Sequence, residues 1–190
     1  MGTFSKAFIK LEDLKVILDE LKNYHIIGRQ EMIDESKPLY YSQNSNETII
    51  LSNNYNNYWC EIELEFNYSV YLYDEFLRRL SSKFNTIILF AYYQSTIGDG
   101  RIAKFNRGQL DFSISQKYFK HNGHEKICLV DNFGVSEVMK KEFDIPKLGE
   151  DFNRIDYDLI NEFLSNNGLS PDNLKEYQKW SYLHIEKING

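Results

Sequence analysis

Three groups of side chains in this sequence have the types and spacing that do chemistry. The first is Trp59, Glu61, Glu63 and Glu65, an aromatic ring and three carboxylates on alternate positions, which places them on one face of a strand. At a rise of roughly 3.4 Å per residue, successive carboxylates stand about 7 Å apart. They repel one another mildly unless cations lie opposite, and a neighbouring strand or a partner would supply those cations. Such a row suits a basic protein partner, with the ring as anchor and the carboxylates selecting the sign of the partner. The second group is Tyr92, Gln94, Asp99 and Arg101, at the carboxyl end of an apolar strand and in the turn that follows. Ligands sit at such strand ends in α/β sheets, so these residues would line a small-molecule pocket. The third is His121, His124, Cys128 and Asp131, whose types and short spacing would suit zinc.

Each group has a plainer reading. Glutamates on the wet side of a strand are commonplace, and Gly98-Asp99-Gly100 is ordinary turn chemistry. The histidines lie in a Gly-containing loop, Cys128 sits mid-strand, and no paired cysteine motif accompanies them. No metal or cofactor is therefore expected. A nucleophile with its base cannot be assigned, and Gly98-Asp99-Gly100 lacks the further glycine and the helix of a dinucleotide loop. The chain is read as non-enzymatic.

The elements that must position these groups run from Tyr58 to Ser115. Tyr58, Cys60, Ile62, Leu64 and Phe66 alternate with the Trp59 row, giving a strand with one core face and one wet face. A helix over Tyr71 to Phe84 follows, with Tyr73, Leu77, Leu80 and Phe84 as its stripe, Asp74 and Glu75 early, and Arg78, Arg79 and Lys83 late, the order that suits the helix dipole. Thr86 to Tyr93 is apolar on both faces, like a strand covered on both sides. Strand, helix and strand in that order predict a right-handed parallel crossover. Gly98-Asp99-Gly100 and Asn106-Arg107-Gly108 then turn the chain into two short strands, Arg101 to Phe105 and Gln109 to Ser115.

Before this unit the pattern predicts a strand over Thr3 to Lys10, a helix over Leu11 to Tyr24 with Gly28 just beyond its end or in the following turn, and a short strand over Glu47 to Ser52 that forms a hairpin with the Tyr58 strand. After it come a basic and aromatic loop over Lys117 to Gly123 and a strand over His124 to Val130. Helices are expected over Phe133 to Phe143, Ile155 to Leu164 and Leu174 to Ile188. The fold class is thus α+β or α/β: a single mixed sheet with a β-α-β-hairpin centre, helices packed on it, and a mostly helical C-terminal third. Residues 1–190 read as one domain, with 1–130 its sheet-containing core and 131–190 its helical part.

The 190 residues carry a formal net charge of −6, with 42% hydrophobic and 15% aromatic residues. That balance disfavours nucleic acid and anionic membrane as partners, because both are bound through basic contacts. It favours a basic protein, since opposed potentials speed encounter. Cys60 and Cys128 make no disulfide framework. With no apolar leader and no run of transmembrane length, the sequence predicts a cytoplasmic protein.

Trp59-Cys60-Glu61-Ile62-Glu63-Leu64, Phe76-Leu77-Arg78-Arg79-Leu80-Ser81, Gln94-Ser95-Thr96 and Phe105-Asn106-Arg107-Gly108-Gln109-Leu110 together resemble the bacterial immunity proteins of polymorphic-toxin systems. The resemblance spans the middle third of the chain. It implies a cytoplasmic, non-enzymatic inhibitor that masks a toxin, and it assigns no role to any single residue. The leading expectation is a protein-binding module, an immunity-type inhibitor of a basic toxin domain. A small-molecule-binding protein or enzyme using the Tyr92, Gln94, Asp99 and Arg101 group, and an assembly subunit, stand as alternatives.

Overall fold

The alternation that begins at Tyr58 does build a strand, with its expected hairpin partner on one side and the opening strand, rather than the Thr86 strand, on the other. A computed structural model of the chain describes residues 3–11, 14–33, 48–55, 59–64, 71, 73–169 and 179–187. In chain order these form β1 (Thr3–Ile9), α1 (Leu14–Tyr24), β2 (His25–Ile33), β3 (Thr48–Tyr55), β4 (Trp59–Leu64), α2 (Asp74–Lys83), β5 (Ile87–Gln94), β6 (Asp99–Asn106), β7 (Gln109–His121), β8 (His124–Asp131), α3 (Glu137–Glu142), α4 (Tyr157–Asn166) and β9 (Lys179–Lys187). The architecture is mixed α+β, and contacts group the chain into two compact units, Met1–Ser5 with Phe66–Gly168 and Lys6–Glu65 with Leu169–Gly190.

In the second of these units the strands run β2-β9-β3-β4-β1, and their ladders are antiparallel. The expected hairpin is present, with Leu51 opposite Ile62 and Tyr55 opposite Trp59. Ile17 and Leu21 of α1 are buried, as the helical stripe requires. That helix ends at Tyr24, as expected, and Gly28 lies within β2 rather than in a turn. The register of β2 on β9 shifts between Ile27 and Arg29, so Gly28 marks a bulge, another place where a residue without Cβ is used. The last predicted helix is also absent, because Lys179–Lys187 is a strand paired with both β2 and β3. Its sequence, KWSYLHIEK, carries the strand formers Trp180, Tyr182 and Ile185, and two flanking ladders outweigh a helical preference worth only tenths of a kcal/mol per residue. The mostly helical C-terminal third is therefore corrected: its described residues form two helices and a strand.

In the other unit β5, β6, β7 and β8 form an antiparallel meander. The β-α-β crossover with direct parallel pairing does not occur, since β4 pairs with β1 and β3 while β5 pairs with β6. Two positive-φ pairs, Arg107 and Gly108 at 50° and 85° and Asn122 and Gly123 at 50° and 79°, close the β6–β7 and β7–β8 hairpins with the twist that two-residue turns need. The second turn lies inside the segment expected as a loop over Lys117 to Gly123, which is strand up to His121.

Both faces of this meander are covered, as the apolar sequence of β5 predicts. On one face α2 buries Leu77 and Leu80. On the other, α4 buries Leu159, Ile160, Phe163 and Leu164, and the Phe163 ring meets Phe112 edge-on at 5.5 Å. The segment leading into α4 is fixed by one buried amide. Gln116 Nε2 donates to the carbonyls of Gly98 at 2.7 Å and Ile155 at 3.0 Å, and its Oε1 accepts from the backbone N–H of Arg154 at 2.9 Å and Ile155 at 2.7 Å. Gly100 lies opposite Gln116, and a Cβ there would stand 2.8 Å from the Ile155 side chain. Replacing Gln116 by Leu strips partners from these buried backbone groups, so urea unfolding should show a loss of about 2–4 kcal/mol. A loss below about 0.5 kcal/mol would mean that Gln116 does not hold the segment.

Candidate functional site

The first group of sequence candidates is not a wet face. Trp59 is 6% exposed and Glu61 0% exposed, while Cys60, Ile62 and Leu64 on the opposite side of the strand are buried as well. The Glu63 side chain and all of Glu65 lie outside the described residues. The cations that a carboxylate row needs come from the chain itself: Lys6 of β1 pairs with Glu61, and Lys10 Nζ stands 6.0 Å from the Trp59 ring centre. Phe8 lies opposite Glu61 in the ladder, so Lys6, two positions along, shares its face. Strict alternation separates two faces of a strand but carries no information on which is covered, and here both are. Trp59 and Glu61 are therefore corrected from an exposed docking row to buried, internally paired residues.

The second group is brought close together, yet as an interior rather than a pocket lining. Tyr92 faces Arg101 and Gln94 faces Asp99 across the β5–β6 ladder. Tyr92, Asp99 and Arg101 are buried and Gln94 is half-buried. Burial, with the Asp99 charge second, pushes the Tyr92 phenol well above its usual range. Asp99 accepts the Tyr118 backbone N–H at 2.7 Å. Arg101 is held by the two oxygens of Asp74, one through Nη1 and the other, at 2.9 Å, through Nη2. Its Nε donates to Ser113 Oγ at 3.0 Å, and the Tyr71 ring covers the guanidinium at 4.4 Å. Ser113 passes the connection on by donating to Asp131 Oδ2 at 2.5 Å. Asp131 Oδ1 in turn accepts the Phe133 N–H at 3.1 Å. The network thus ties the first turn of α2 to β6, β7 and β8, and Asp74 sits where the helix dipole favours an anion.

The third group does not converge. His121 and His124 are opposite one another at the exposed tip of the β7–β8 hairpin, Cys128 is buried four positions along β8, and Asp131 belongs to the Arg101 network. Among the described residues no three His, Cys, Asp or Glu side chains gather in ligating range.

Sequence reasoning missed two exposed features of this unit. The first is an open cleft of about 720 Å³ beyond the end of β5, lined among others by Tyr93, Ser95, Thr96, Tyr118, Glu125 and Asn153. The second is the segment from Glu137 to Glu162, with eight carboxylates against four cations, all eight exposed. None of the six residues of α3 is buried, and Val138 and Leu148 are 73% and 59% exposed. The charge count was readable in the sequence; the exposure of the apolar residues was not, because helical spacing normally signals a buried stripe.

Two measurements bear on these assignments. Asp74→Ala leaves the Arg101 cation buried without its anion, whereas Arg101→Leu leaves Asp74 with 23% of its side chain in water. The first variant should therefore lose more stability, about 3–5 kcal/mol, and the second less; the reverse order would show that the pair is not governed by desolvation. Glu125 is fully exposed and accepts from Lys120 and Tyr118, and the Lys120 bond, the larger cause, lowers its pKa below 4.5. A depressed carboxyl supports the folded hairpin above its ordinary pKa and ceases to do so as pH falls through the folded value. A carboxyl NMR titration should place the Glu125 midpoint below 4.5, and Lys120→Met should raise it. No protein-family model, curated protein or solved structure matches the chain.

Proposed function

We propose that this chain is a non-enzymatic protein-binding module that docks a basic partner through the segment from Glu137 to Glu162, and that it acts as an immunity-type inhibitor of a basic toxin domain. The observation that carries the reading is the coincidence of exposed apolar side chains, Phe133, Val138 and Leu148, with eight exposed carboxylates. Scattered apolar residues at a surface are ordinary, but a helix that buries none of its six residues has no internal reason for its apolar positions. Apolar anchors ringed by like charge are what a desolvated contact with an oppositely charged partner uses. Two ion pairs, Lys140 with Glu137 and Arg154 with Asp144, are exposed and weak, so they leave the negative field largely in place. The resemblance to immunity proteins points the same way. That resemblance is carried by the middle third of the chain and does not extend to this surface.

The small-molecule alternative draws on the cleft beyond β5, whose size suits a ligand. Two of its lining groups are already engaged, however: Glu125 with Lys120, and Asn153 Oδ1 with Gln116 at 3.4 Å.

The docking reading is tested by capture from an extract of the producing cell, with the retained protein identified. The wild type should retain a protein of basic pI, less of it as salt rises, and the Val138→Asp, Leu148→Asp double variant should bind it at least about tenfold more weakly. Surface changes of this kind leave the unfolding midpoint nearly unchanged. Retention of an acidic protein, or equal binding by the double variant, would overturn the proposal.

A further inference from the structure

The cleft beyond the end of β5 is built from fixed parts. Side chains of β5, β7 and β8, of the turn before β6 and of residues 151–153 line it, all within the Phe66–Gly168 unit. Gly98 lies at a φ of 79°, and a Cβ there would collide with the Ile127 side chain, so the turn is pressed onto β8. Residues 151–153 are tied to the same strand, because the Phe152 N–H donates to the Ile127 carbonyl at 2.8 Å. The Tyr93 ring stands edge-on to Tyr157 at 5.2 Å, and Tyr157 stands edge-on to Phe4 at 6.4 Å. The volume of about 720 Å³ is that of a small-molecule site, and a ligand entering it has little left to order.

The charges along this cleft balance. Glu125 is met by Lys120 and by the Tyr118 hydroxyl. Asp151 and Lys126, both exposed, carry opposite signs, and the Lys126 ammonium is turned to the Gly149 carbonyl at 3.4 Å. What is left over is polar and, in sum, uncharged. Among the described residues the Tyr93 phenol, the Thr96 hydroxyl and the Asp151 carboxylate make no hydrogen bond. Asn153 engages its Oδ1 with Gln116 and keeps the N–H groups of its amide. Burial first, then the nearby Asp156 carboxylate, raises the Tyr93 pKa, so at neutral pH the phenol remains a donor. The cleft thus offers donors and acceptors side by side.

We infer that this cleft binds a short, neutral oligosaccharide, with one sugar ring against Tyr93 and sugar hydroxyls on Thr96, Asp151 and Asn153. A hydroxyl both donates and accepts, so a single ligand class serves the phenol, the threonine, the carboxylate and the amide together. The C–H groups of a sugar face are weakly positive and suit the negative face of an aromatic ring. Other classes fit worse. An apolar ligand would cover these polar groups and leave them unpaired. An anion would meet Asp151 and the exposed carboxylates of Glu150 and Asp156 along the same segment, and a cation would meet Lys126. Of the eight carboxylates from Glu137 to Glu162 only Asp151 lines the cleft, and the sugar site stands without the docking reading.

The probes are maltotriose, cellotriose and triacetylchitotriose, each titrated against the isotope-labelled full chain with amide shifts as the readout. At least one should bind saturably, with shift changes centred on residues 93–98 and 151–153, which keeps the test independent of any variant's folding. Its affinity should change less than about twofold between low and high salt, because a neutral ligand is not screened. Tyr93→Ala should weaken binding at least about tenfold, and Tyr93→Phe, which keeps the ring, only about threefold. Asp151→Ala should weaken it about fivefold. Arg78→Glu, on the exposed side of α2, should change it less than about twofold. Binding of none of the three sugars, shifts centred elsewhere, an unaffected Tyr93→Ala variant, or tighter binding of ADP or trilysine than of any sugar would each overturn the inference.

Discussion

A guanidinium taken out of water must find an anion in its place, and in this chain Arg101 finds Asp74. The residue is wholly buried in β6 of the Phe66–Gly168 unit, and its donors tie neighbouring elements of that unit together. Two reach the first turn of α2, one reaches Ser113 on β7, and Ser113 relays to Asp131 at the end of β8. The penalty of desolvating two charges is large, and the pair recovers it only through bidentate geometry with the remaining donors occupied. Such a pair contributes little net stability, but it fixes which turn of the helix lies over which strand.

The opposite face of the same meander is governed by a neutral group. Gln116 satisfies carbonyl and N–H partners from both the β5–β6 turn and the segment before α4. Arg101 faces Ser115, and its neighbour Gly100 faces Gln116. Adjacent positions on β6 and β7 therefore serve the two layers, one by charge and one by an amide. Ile88, Leu89, Phe90 and Ala91 of β5, all buried, supply apolar side chains to the same interior.

Much of this was legible in residue order. The two-sided apolar run of β5, the charge gradient along α2 and the Arg107-Gly108 turn each express a local rule, and each formed within a few residues of its expected place. What failed was whatever depended on the identity of a distant neighbour. The Trp59 row looked solvated because nothing local reveals Lys6 beside Glu61. The 179–187 segment looked helical because its two strand partners lie far upstream. Tyr92, Asp99 and Arg101 were correctly grouped, since a hairpin is a local structure, but their burial is set by α2 and by β7, which spacing alone cannot place. The Asn122-Gly123 turn is the exception: its signal is local and was present, hidden by the basic and aromatic character of the residues before it.

The place of β9 between β2 and β3 bears on how the chain is made. During synthesis the meander from β5 to β8, joined by tight turns, has all its neighbours within reach as soon as it emerges. The strands β2, β3 and β9 do not: β2 and β3 are made well over a hundred residues before the strand that separates them. Until then two hydrogen-bonding borders stand open on a nascent chain, where they invite wrong partners and the attention of chaperones.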